Sequence, residues 1–463
     1  MFELILRHLL TVLGFGLGLL LVLRILRQQN RPAVSIAWLM AILLIPYIGV
    51  PAYLLFGGRK FARLASRKKD LPRPEAKTLQ SSIKCSTENV LVTSGMPPAR
   101  APNQIALVTD GQQAYSALGS LIEGAQRSVH VTTFILGRDE VGRAIIELLT
   151  RKAADGVEVR LLLDALGCLW SSRGLVAPLR RAGGKVGTFM PMLPLRRKWS
   201  AHLRNHRKML IVDGQAAMIG GMNLAKEYLG PDPSTVRWID STTFVQGPAV
   251  RDLEEIFASD WDFAVGETLG EALLPEEHLQ LESDEGVAQI VASGPDVPGD
   301  PLYEAILSAS YEATERIWIV TPYFIPDDSL LRVLTLQSRL GRDVRIVLPV
   351  RSNHLLADLA RGRFLRQMKA AGGRIFVHEG PMIHAKHLVF DRKIATAGSV
   401  NFDMRSLYLN YEAAMFMYSP REVDQTAQWI SRLMAQSREL GQTEVGFFRQ
   451  WAEDLGLLIA PLL

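Results

Sequence analysis

Cysteine is scarce in this sequence, whose 463 residues include only Cys85 and Cys168. Two cysteines cannot build the disulfide framework of a small secreted domain, and neither belongs to a C-x-x-C pair or another metal pattern. Crosslinks are not needed, because a chain of this length with 48% hydrophobic residues can bury large cores. The composition therefore predicts two globular units in a reducing compartment.

Most of the chain also lacks a surplus of positive charge. Residues 1–70 hold 10 Lys and Arg against 2 acidic residues, whereas residues 71–463 hold 42 against 45. The net charge of +5 therefore originates in the N-terminal segment. A nucleic-acid-binding domain would carry its basic excess in the globular part, so nucleic acid is disfavoured as a partner.

Charge is absent from two stretches near the N-terminus, 9–23 and 33–56. As a helix the second would reach about 36 Å, enough to cross a bilayer, whereas the shorter first stretch needs its flanking arginines to snorkel. A cleaved signal peptide is the alternative, but no A-x-A-like site follows Leu23. Basic residues are more numerous on the outer flanks than in the connecting loop, which predicts a multi-pass anchor in the cytoplasmic (inner) membrane with the body on the cytoplasmic side.

The remaining chain shows two similar passes of alternating helix and strand, which predict two duplicated α/β lobes whose motif strands meet. Helices are expected over 114–125, 140–154, 302–313 and 328–339. Strands are expected over 129–135, 157–163, 317–323 and 344–348. We expect the chain to comprise a membrane hairpin 1–60, a basic juxtamembrane segment and linker 61–104, a first lobe 105–264, an acidic connection 265–300 with one strand at 287–292, and a second lobe 301–463.

A long motif, H-x-K-x4-D-x6-G-[GS]-x-N, occurs twice with identical spacing. The copies are His206, Lys208, Asp213, Gly220, Gly221 and Asn223, and His384, Lys386, Asp391, Gly398, Ser399 and Asn401. A single His-x-Lys pair on a strand is usually a solvated surface pair, since alternate residues share one face. The repetition instead predicts one site in which two imidazoles, two ammonium groups and two Asn amides surround a common anion.

This set of donors suits a phosphodiester whose P–O bond is exchanged. One neutral histidine can attack phosphorus while the other, protonated, donates a proton to the leaving alkoxide, although the residues do not indicate which histidine attacks. No cofactor or metal is predicted. The His202/His206 and His384/His387 spacings could mimic zinc pairs, but no nearby cysteine completes them and the lysines would repel a cation.

The carboxylates near the motifs allow more than one interpretation. Asp213 and Asp391 could be catalytic, but their position near the far end of each motif strand favours tying a turn. Asp240 and Glu412 follow their motifs at similar intervals and could fix the tautomers of the two imidazoles. Surface carboxylates are common, and only the duplication favours this second role.

At these residues the sequence resembles the phospholipase D superfamily, and within it the bacterial cardiolipin synthases. The resemblance rests on the paired H-x-K-x4-D motifs and on four longer stretches, 204–214, 220–230, 321–327 and 398–412. Residues 37–39 and 53–57 are similar to the membrane segment of that family. The resemblance implies two α-β-α lobes behind an N-terminal transmembrane hairpin.

The resemblance also implies a reaction in which two phosphatidylglycerols give cardiolipin and glycerol through a phosphatidyl-histidine. It makes His206 the nucleophile and His384 the acid and base, with Asp240 and Glu412 as their supports. The site is then completed by motif residues of two kinds: catalytic Lys208, Asp213, Lys386 and Asp391, and phosphate-binding Asn223, Ser399 and Asn401.

Alternatives remain open at this stage. They are a phospholipase D-type phosphodiesterase or nuclease, a transphosphatidylase with another headgroup such as phosphatidylethanolamine, and a non-catalytic membrane scaffold. Residues 352–366 and 378–382 depart from the family pattern and are expected to shape the acceptor pocket. A basic group, Arg196, Arg197, Lys198, Arg204 and Arg207, could hold anionic headgroups or form a solvated loop. The sequence indicates no oligomeric state.

Overall fold

The residues that the computed structural model describes fall into four stretches, 85–169, 174–191, 203–270 and 286–441, with isolated positions nearer the two ends. The chain divides into two compact units, Met1–Ala65 and Ser66–Leu463. Among the described residues, no helix combines the length and the apolar character needed to cross a membrane. The predicted spans, apart from a few positions of the second, lie outside the described residues.

The first half of the large unit alternates strands and helices. Its elements are α1 (Ser86–Thr93), β1 (Arg100–Val108), α2 (Gly111–Gly124), β2 (Ser128–Thr133), α3 (Glu140–Ala154), β3 (Glu158–Asp164), α4 (Ala177–Arg181), β4 (Lys185–Phe189), β5 (Met209–Val212), β6 (Ala216–Gly220), β7 (Thr242–Gln246) and α5 (Val250–Val265).

The second half repeats this order with small additions. Its elements are β8 (Gly286–Ser293), α6 (Pro301–Glu312), β9 (Arg316–Val320), β10 (Phe324–Ile325), α7 (Asp328–Arg339), β11 (Asp343–Pro349), α8 (Leu355–Ala370), β12 (Arg374–His378), β13 (His387–Phe390), β14 (Ile394–Gly398), β15 (Phe402–Asp403), α9 (Met404–Tyr408), β16 (Glu412–Met417), α10 (Pro420–Ala435) and β17 (Arg438–Glu439).

Local sequence explains where the longer helices begin. The side chain of Asp139 accepts the Gly142 N–H at 2.9 Å and caps α3, and Asp327 accepts the Leu330 N–H at 3.0 Å and caps α7. Apolar residues at helical spacing then cover one face of each helix and pack on the sheet. These two helices have the bounds that the sequence predicts.

Fifteen strands of the described part form one sheet in the order β17-β12-β11-β9-β13-β14-β16-β8-β1-β7-β6-β5-β2-β3-β4. From the centre outward the two sides match strand for strand, β1-β7-β6-β5-β2-β3-β4 against β8-β16-β14-β13-β9-β11-β12. The outer pairs of both sides are parallel and the pairs near the centre are antiparallel, and β17 adds one antiparallel strand beside β12. The sheet thus has the two-fold internal repetition expected from the sequence.

The two halves join differently from the prediction that the motif strands meet. The central pair is β1 with β8, and β5 and β13 each pair within their own half. β1 starts inside the expected linker 61–104, which also contains α1, and β8 lies inside the expected acidic connection. Both strands carry buried residues in the central sheet, so β1 and β8 belong to the core.

Candidate active site

Backbone contacts between the halves hold both H-x-K triplets. The sequence pattern assigns each triplet to a strand, but in the structure both end one residue before their strands, β5 and β13. The N–H of His206 donates to the Tyr411 carbonyl at 2.9 Å, and the N–H of His384 donates to the Ile239 carbonyl at 2.8 Å. Each triplet is therefore positioned by the opposite half of the sheet.

A cavity of about 220 Å³ lies beside the two histidines and takes its walls from both halves. Its polar lining includes His206, His384, Asn223, Asn401, Tyr228, Tyr323, Asn353, His354, Arg204 and Arg405. Asn353 and His354 belong to the stretch 352–366, which is expected from the sequence to shape the acceptor pocket. The structure thus brings the predicted histidines and asparagines together in one place.

His206 is supported by a carboxylate from the second half. Its Nδ1 lies 3.0 Å from one oxygen of Glu412 and 3.1 Å from the other. The hydroxyl of Ser399 donates to the same carboxylate at 2.5 Å. Glu412 has no exposed surface, so its orientation is set by these partners. Ser399 therefore contacts the support of His206, a role distinct from the phosphate contact expected from the sequence.

His384 is supported by a carboxylate from the first half. Its Nδ1 lies 2.6 Å from Asp240 Oδ2, and the other oxygen of Asp240 accepts the Ser241 N–H at 2.8 Å. Both expected supports are thus present, but they are exchanged between the halves. The carboxylate that follows each motif in sequence contacts the histidine of the other motif.

The two motif lysines lie beside the imidazoles. Lys208 donates to the His206 carbonyl at 2.6 Å, and the Nζ of Lys386 lies 2.7 Å from Nδ1 and 3.1 Å from Nε2 of His384. Both ammonium groups are almost completely buried. An anion entering the cavity would therefore meet cations that have little competing water.

Burial changes the proton affinities of these groups. It lowers the pKa of Lys208 to about 7 and that of Lys386 to about 8. It also lowers the pKa of His206, and together with the charge of Lys386 it lowers the pKa of His384 to about 3. The imidazoles are therefore neutral near pH 7 before an anion binds.

The supporting carboxylates remain ionised in this environment. Burial alone would raise the pKa values of Asp240 and Glu412. The charge of Lys386 and the contact with His384 outweigh burial for Asp240, and the contact with His206 does so for Glu412, so both pKa values lie below the usual range. The site thus pairs two anionic carboxylates with two neutral imidazoles and two lysines.

The motif asparagines differ in their partners. Asn223 Oδ1 accepts the Ile135 N–H at 3.0 Å, which directs its NH2 group elsewhere. The equivalent oxygen of Asn401 is buried and has no hydrogen-bond partner. Buried amides normally satisfy their polar atoms. The Asn401 oxygen could accept from a ligand with a donor group, or a rotation of the amide by about 180° would present its NH2 group at the same place.

Asp213 and Asp391 occupy matching turns after β5 and β13. Both have positive φ angles, 55° and 53°. The Asp213 carboxylate accepts the N–H groups of residues 126–128 at 2.7–2.9 Å, and Asp391 accepts those of residues 314–316 at 2.8–3.1 Å. These contacts correspond to the turn-tying interpretation and direct both carboxylates to the backbone before β2 and β9 instead of to the histidines.

The basic residues around the first motif have separate roles. Arg204 lines the cavity, and its guanidinium lies 3.4 Å from Asp164. Arg207 is buried on another side, where it pairs with Asp260 at 2.6 Å. Residues 196–198 lie outside the described residues.

The sequence alone did not identify the aromatic groups around the histidines. The rings of Phe134 and His206 pack edge to face with their centroids 5.0 Å apart, and those of Tyr228 and His384 do the same at 5.2 Å. Trp238 lies 5.6 Å from His384. Tyr228 lies five residues after Asn223 of the first motif, which could have suggested it, whereas Phe134 lies far from both motifs in the sequence. Among the residues that the structure describes, no group of three or more His, Cys, Asp or Glu is arranged to hold a metal ion.

Comparison with known proteins identifies the family of this chain. A family model described as "Cardiolipin synthase, PLD-like domain" matches residues 118–261 and 305–434, and one described as "Phospholipase D-nuclease N-terminal" matches residues 16–58. The fold and site are therefore those of a protein with two phospholipase D-like domains. The chain belongs to the cardiolipin synthase family and is a phosphatidyltransferase.

Individual relatives are similar over nearly the whole chain. A cardiolipin synthase of Geobacillus thermodenitrificans is 31% identical, with 94% of this chain and 90% of the relative covered. Cardiolipin synthase A of Pseudomonas putida is 32% identical, with 96% of each covered. The solved phosphatidylserine synthase of Haemophilus influenzae has 15% identity and a TM-score of 0.59, covering 82% of this chain and all of that one, and this likeness concerns the fold.

Proposed function

We propose that this protein transfers a phosphatidyl group from one phosphatidylglycerol to the terminal hydroxyl of another, giving cardiolipin and glycerol. The observation that carries the proposal is the joint site, in which two H-x-K triplets from different halves share one cavity and each imidazole is backed by a buried carboxylate of the other half. Membership of the cardiolipin synthase family supports the choice of lipid substrates.

In the first step His206 attacks phosphorus. Its Nδ1 is occupied by Glu412, which leaves Nε2 as the nucleophilic nitrogen. The new N–P bond replaces the P–O bond to glycerol. His384 takes up a proton from solvent when the anionic phosphodiester binds beside it, and gives this proton to the departing oxygen. The order of the two histidines follows the family resemblance, and the near-symmetric geometry is compatible with it.

In the second step the reaction runs in the opposite direction with a new alcohol. The glycerol hydroxyl of a second phosphatidylglycerol gives its proton to His384, and its oxygen attacks phosphorus as the bond to His206 breaks. One phosphodiester replaces another, so no nucleotide is consumed. Lys208, Lys386 and the Asn223 amide would hold the phosphate oxygens, since buried cations and preoriented amides stabilise developing charge.

Asp213 and Asp391 are proposed here as positioning residues. Each carboxylate gathers three consecutive backbone N–H groups and thereby fastens the motif turn to the start of a neighbouring strand. Ser399 is likewise proposed to orient Glu412.

The membrane anchor remains part of the proposal. Residues 9–23 and 33–56 would form the hairpin, the match to an N-terminal family model over residues 16–58 supports a distinct segment there, and the distribution of basic residues favours a cytoplasmic body. A lipid-to-lipid transfer benefits from such an anchor, because it keeps the acceptor alcohol at high local concentration relative to water.

The test is to incubate the purified full-length protein with phosphatidylglycerol vesicles in the absence of nucleotide. Cardiolipin and glycerol should appear in equal amounts, and His206→Ala should abolish both. Phosphatidic acid as the sole lipid product would contradict the transfer and would indicate a hydrolase. Addition of phosphatidylethanolamine in a parallel sample tests whether another headgroup can serve as donor.

A further inference from the structure

The two halves of the active site differ at two matching positions. The third residue after the motif histidine is Met209 in the first half and His387 in the second. The residue after each supporting carboxylate is Ala413 beside Glu412 and Ser241 beside Asp240. The polar residues at both positions thus come together around Asp240, although they belong to different halves.

His387 and Ser241 form a buried hydrogen-bonded pair. The Nδ1 of His387 lies 2.9 Å from the Thr396 carbonyl oxygen, and its Nε2 lies 2.6 Å from Ser241 Oγ. A carbonyl oxygen can only accept, so Nδ1 carries the proton and Nε2 accepts the hydroxyl of Ser241. Burial lowers the pKa of His387 to about 4, which agrees with this neutral tautomer. Both side chains are nearly inaccessible.

The pair continues directly to the support of His384. The backbone N–H of Ser241 donates to Asp240 Oδ1 at 2.8 Å, and Asp240 Oδ2 faces His384 Nδ1 at 2.6 Å. A side chain at position 221 could not supply this hydrogen bond instead. A Cβ atom at Gly221 would lie 2.2 Å from Asp240 Oδ1, which is too close. The orientation of Asp240 therefore depends on the backbone of Ser241.

The carboxylate that supports His206 is oriented by a different contact. There the hydroxyl of Ser399, which stands where the other motif has Gly221, donates straight to Glu412. Asp240 lacks such a hydroxyl, and its neighbour Ser241 is instead fastened through His387 to the Thr396 carbonyl of β14.

We infer that Ser241 and His387 are a positioning pair that holds Asp240 against His384 and so serves the proton transfers of the second histidine. The inference deepens the proposed function and rests on it. The two residues are buried and touch neither the substrate nor the reacting nitrogens. Their loss should therefore slow the proton transfers of His384 more than the attack by His206.

A donor lipid with a nitrophenyl headgroup separates the attack by His206 from the proton transfers of His384. Nitrophenolate leaves without needing a proton, so formation of the adduct on His206 would not depend on His384, whereas transfer to an alcohol still would. The experiment measures nitrophenolate release by full-length variants in micelles that contain phosphatidylglycerol as acceptor. The initial burst reports adduct formation, and the steady rate reports its resolution.

Ser241→Ala and His387→Met, which introduce the residues found at the matching positions, Ala413 and Met209, should keep a burst near one nitrophenolate per folded enzyme while the steady rate falls about tenfold. The steady rate of the double variant should be at most about threefold lower than that of either single variant, because the two residues act as a unit. His387→Gln keeps an acceptor near Nε2 and should stay within about threefold of the unsubstituted protein.

His130→Met is the matched control. His130 is also a buried imidazole, paired with Glu254 at 2.5 Å and stacked on Phe257, but outside the cavity lining. Any loss of folded protein in this variant should reduce burst and steady rate in the same proportion. The same proportional loss in Ser241→Ala and His387→Met, or unchanged rates, would overturn the inference. If the unsubstituted protein made neither adduct nor cardiolipin, the proposed function itself would fail, and the inference with it.

Discussion

Glu412 lies on β16 of the second half, yet its carboxylate contacts Nδ1 of His206 in the first half at 3.0 Å. Asp240 makes the reciprocal contact with His384 at 2.6 Å. Neither half of the sheet therefore contains a complete histidine–carboxylate pair. The duplication produces one site and not two, because each motif needs the other half to orient its imidazole.

This exchange predicts different defects for two similar substitutions. Glu412→Gln removes the negative charge behind the proposed nucleophile, so adduct formation should slow by about 10²- to 10⁴-fold, the range in which such carboxylates contribute elsewhere. Asp240→Asn should leave adduct formation from a nitrophenyl donor nearly intact and slow the transfer to phosphatidylglycerol. Stopped-flow measurement of nitrophenolate release distinguishes the two steps. If Asp240→Asn lost the burst and Glu412→Gln kept it, the roles of the two histidines would be reversed.

The lowered lysine pKa values predict how the site binds anions. A lysine is charged only below its pKa, so Lys208 loses its charge as the pH rises through about 7 and Lys386 as it rises through about 8. A dialkyl phosphate keeps a single negative charge over this range. Its dissociation constant should therefore increase with pH, approaching tenfold per pH unit where one proton is taken up on binding.

Calorimetry in buffers of different ionisation heat counts the protons taken up. Lys386→Met should weaken binding at low pH and remove the upper part of the pH dependence. Lys393→Met, at an exposed turn position, is the control and should bind as the unsubstituted protein does. Affinity that is constant from about pH 6 to about pH 9 would mean that neither lysine titrates there.

Local pattern was enough to predict several of the helices and strands but not their assembly. The bounds of α3 and α7 are predicted correctly, because a capping aspartate and a regular apolar face are both short-range signals. The exchange of Asp240 and Glu412 joins residues more than 140 positions apart, and their similar intervals from the preceding motif suggest the opposite pairing. The central place of β8 was also missed, because an acidic flank with no basic residues is typical of a solvated connection.

The turn aspartates allow a test of positioning against catalysis. At Asp391 the carboxylate accepts three backbone N–H groups, and the residue has a φ of 53°, which Asp and Asn tolerate better than Ala. Asp391→Ala should lower the free energy of unfolding by about 1–3 kcal/mol, since N–H groups lose their partner. Asp391→Asn should lower the free energy of unfolding by less, because one oxygen acceptor remains.

The turnover of folded Asp391 variants is the decisive measurement. A positioning role predicts a rate within about threefold of the unsubstituted protein once the folded fraction is known from thermal unfolding. A rate lower by two or more orders of magnitude with unchanged stability would instead return Asp391 to the catalytic groups.

Lys68 forms 2.5 Å ion pairs with both Asp260 and Asp296 and has only 2% of its surface exposed. Asp260 also pairs with Arg207, the residue between His206 and Lys208, at 2.6 Å. Lys68→Met would leave two buried carboxylates with one cation. Removing one partner of a buried ion pair lowers the free energy of unfolding by about 3–5 kcal/mol. We therefore expect a lower midpoint of thermal unfolding and a slower turnover, because Arg207 would then be shared between both carboxylates.

A compensating substitution separates charge balance from lost packing. Asp296→Asn in the Lys68→Met background removes the surplus negative charge and should recover part of the stability, whereas Asp296→Asn alone leaves a surplus positive charge and should destabilise. The exposed Lys393→Met variant should match the unsubstituted protein in both measurements. If the double variant were as unstable as the sum of the single ones, the two side chains would not be coupled, and the ion pair would not be the reason that Lys68 is buried next to the motif.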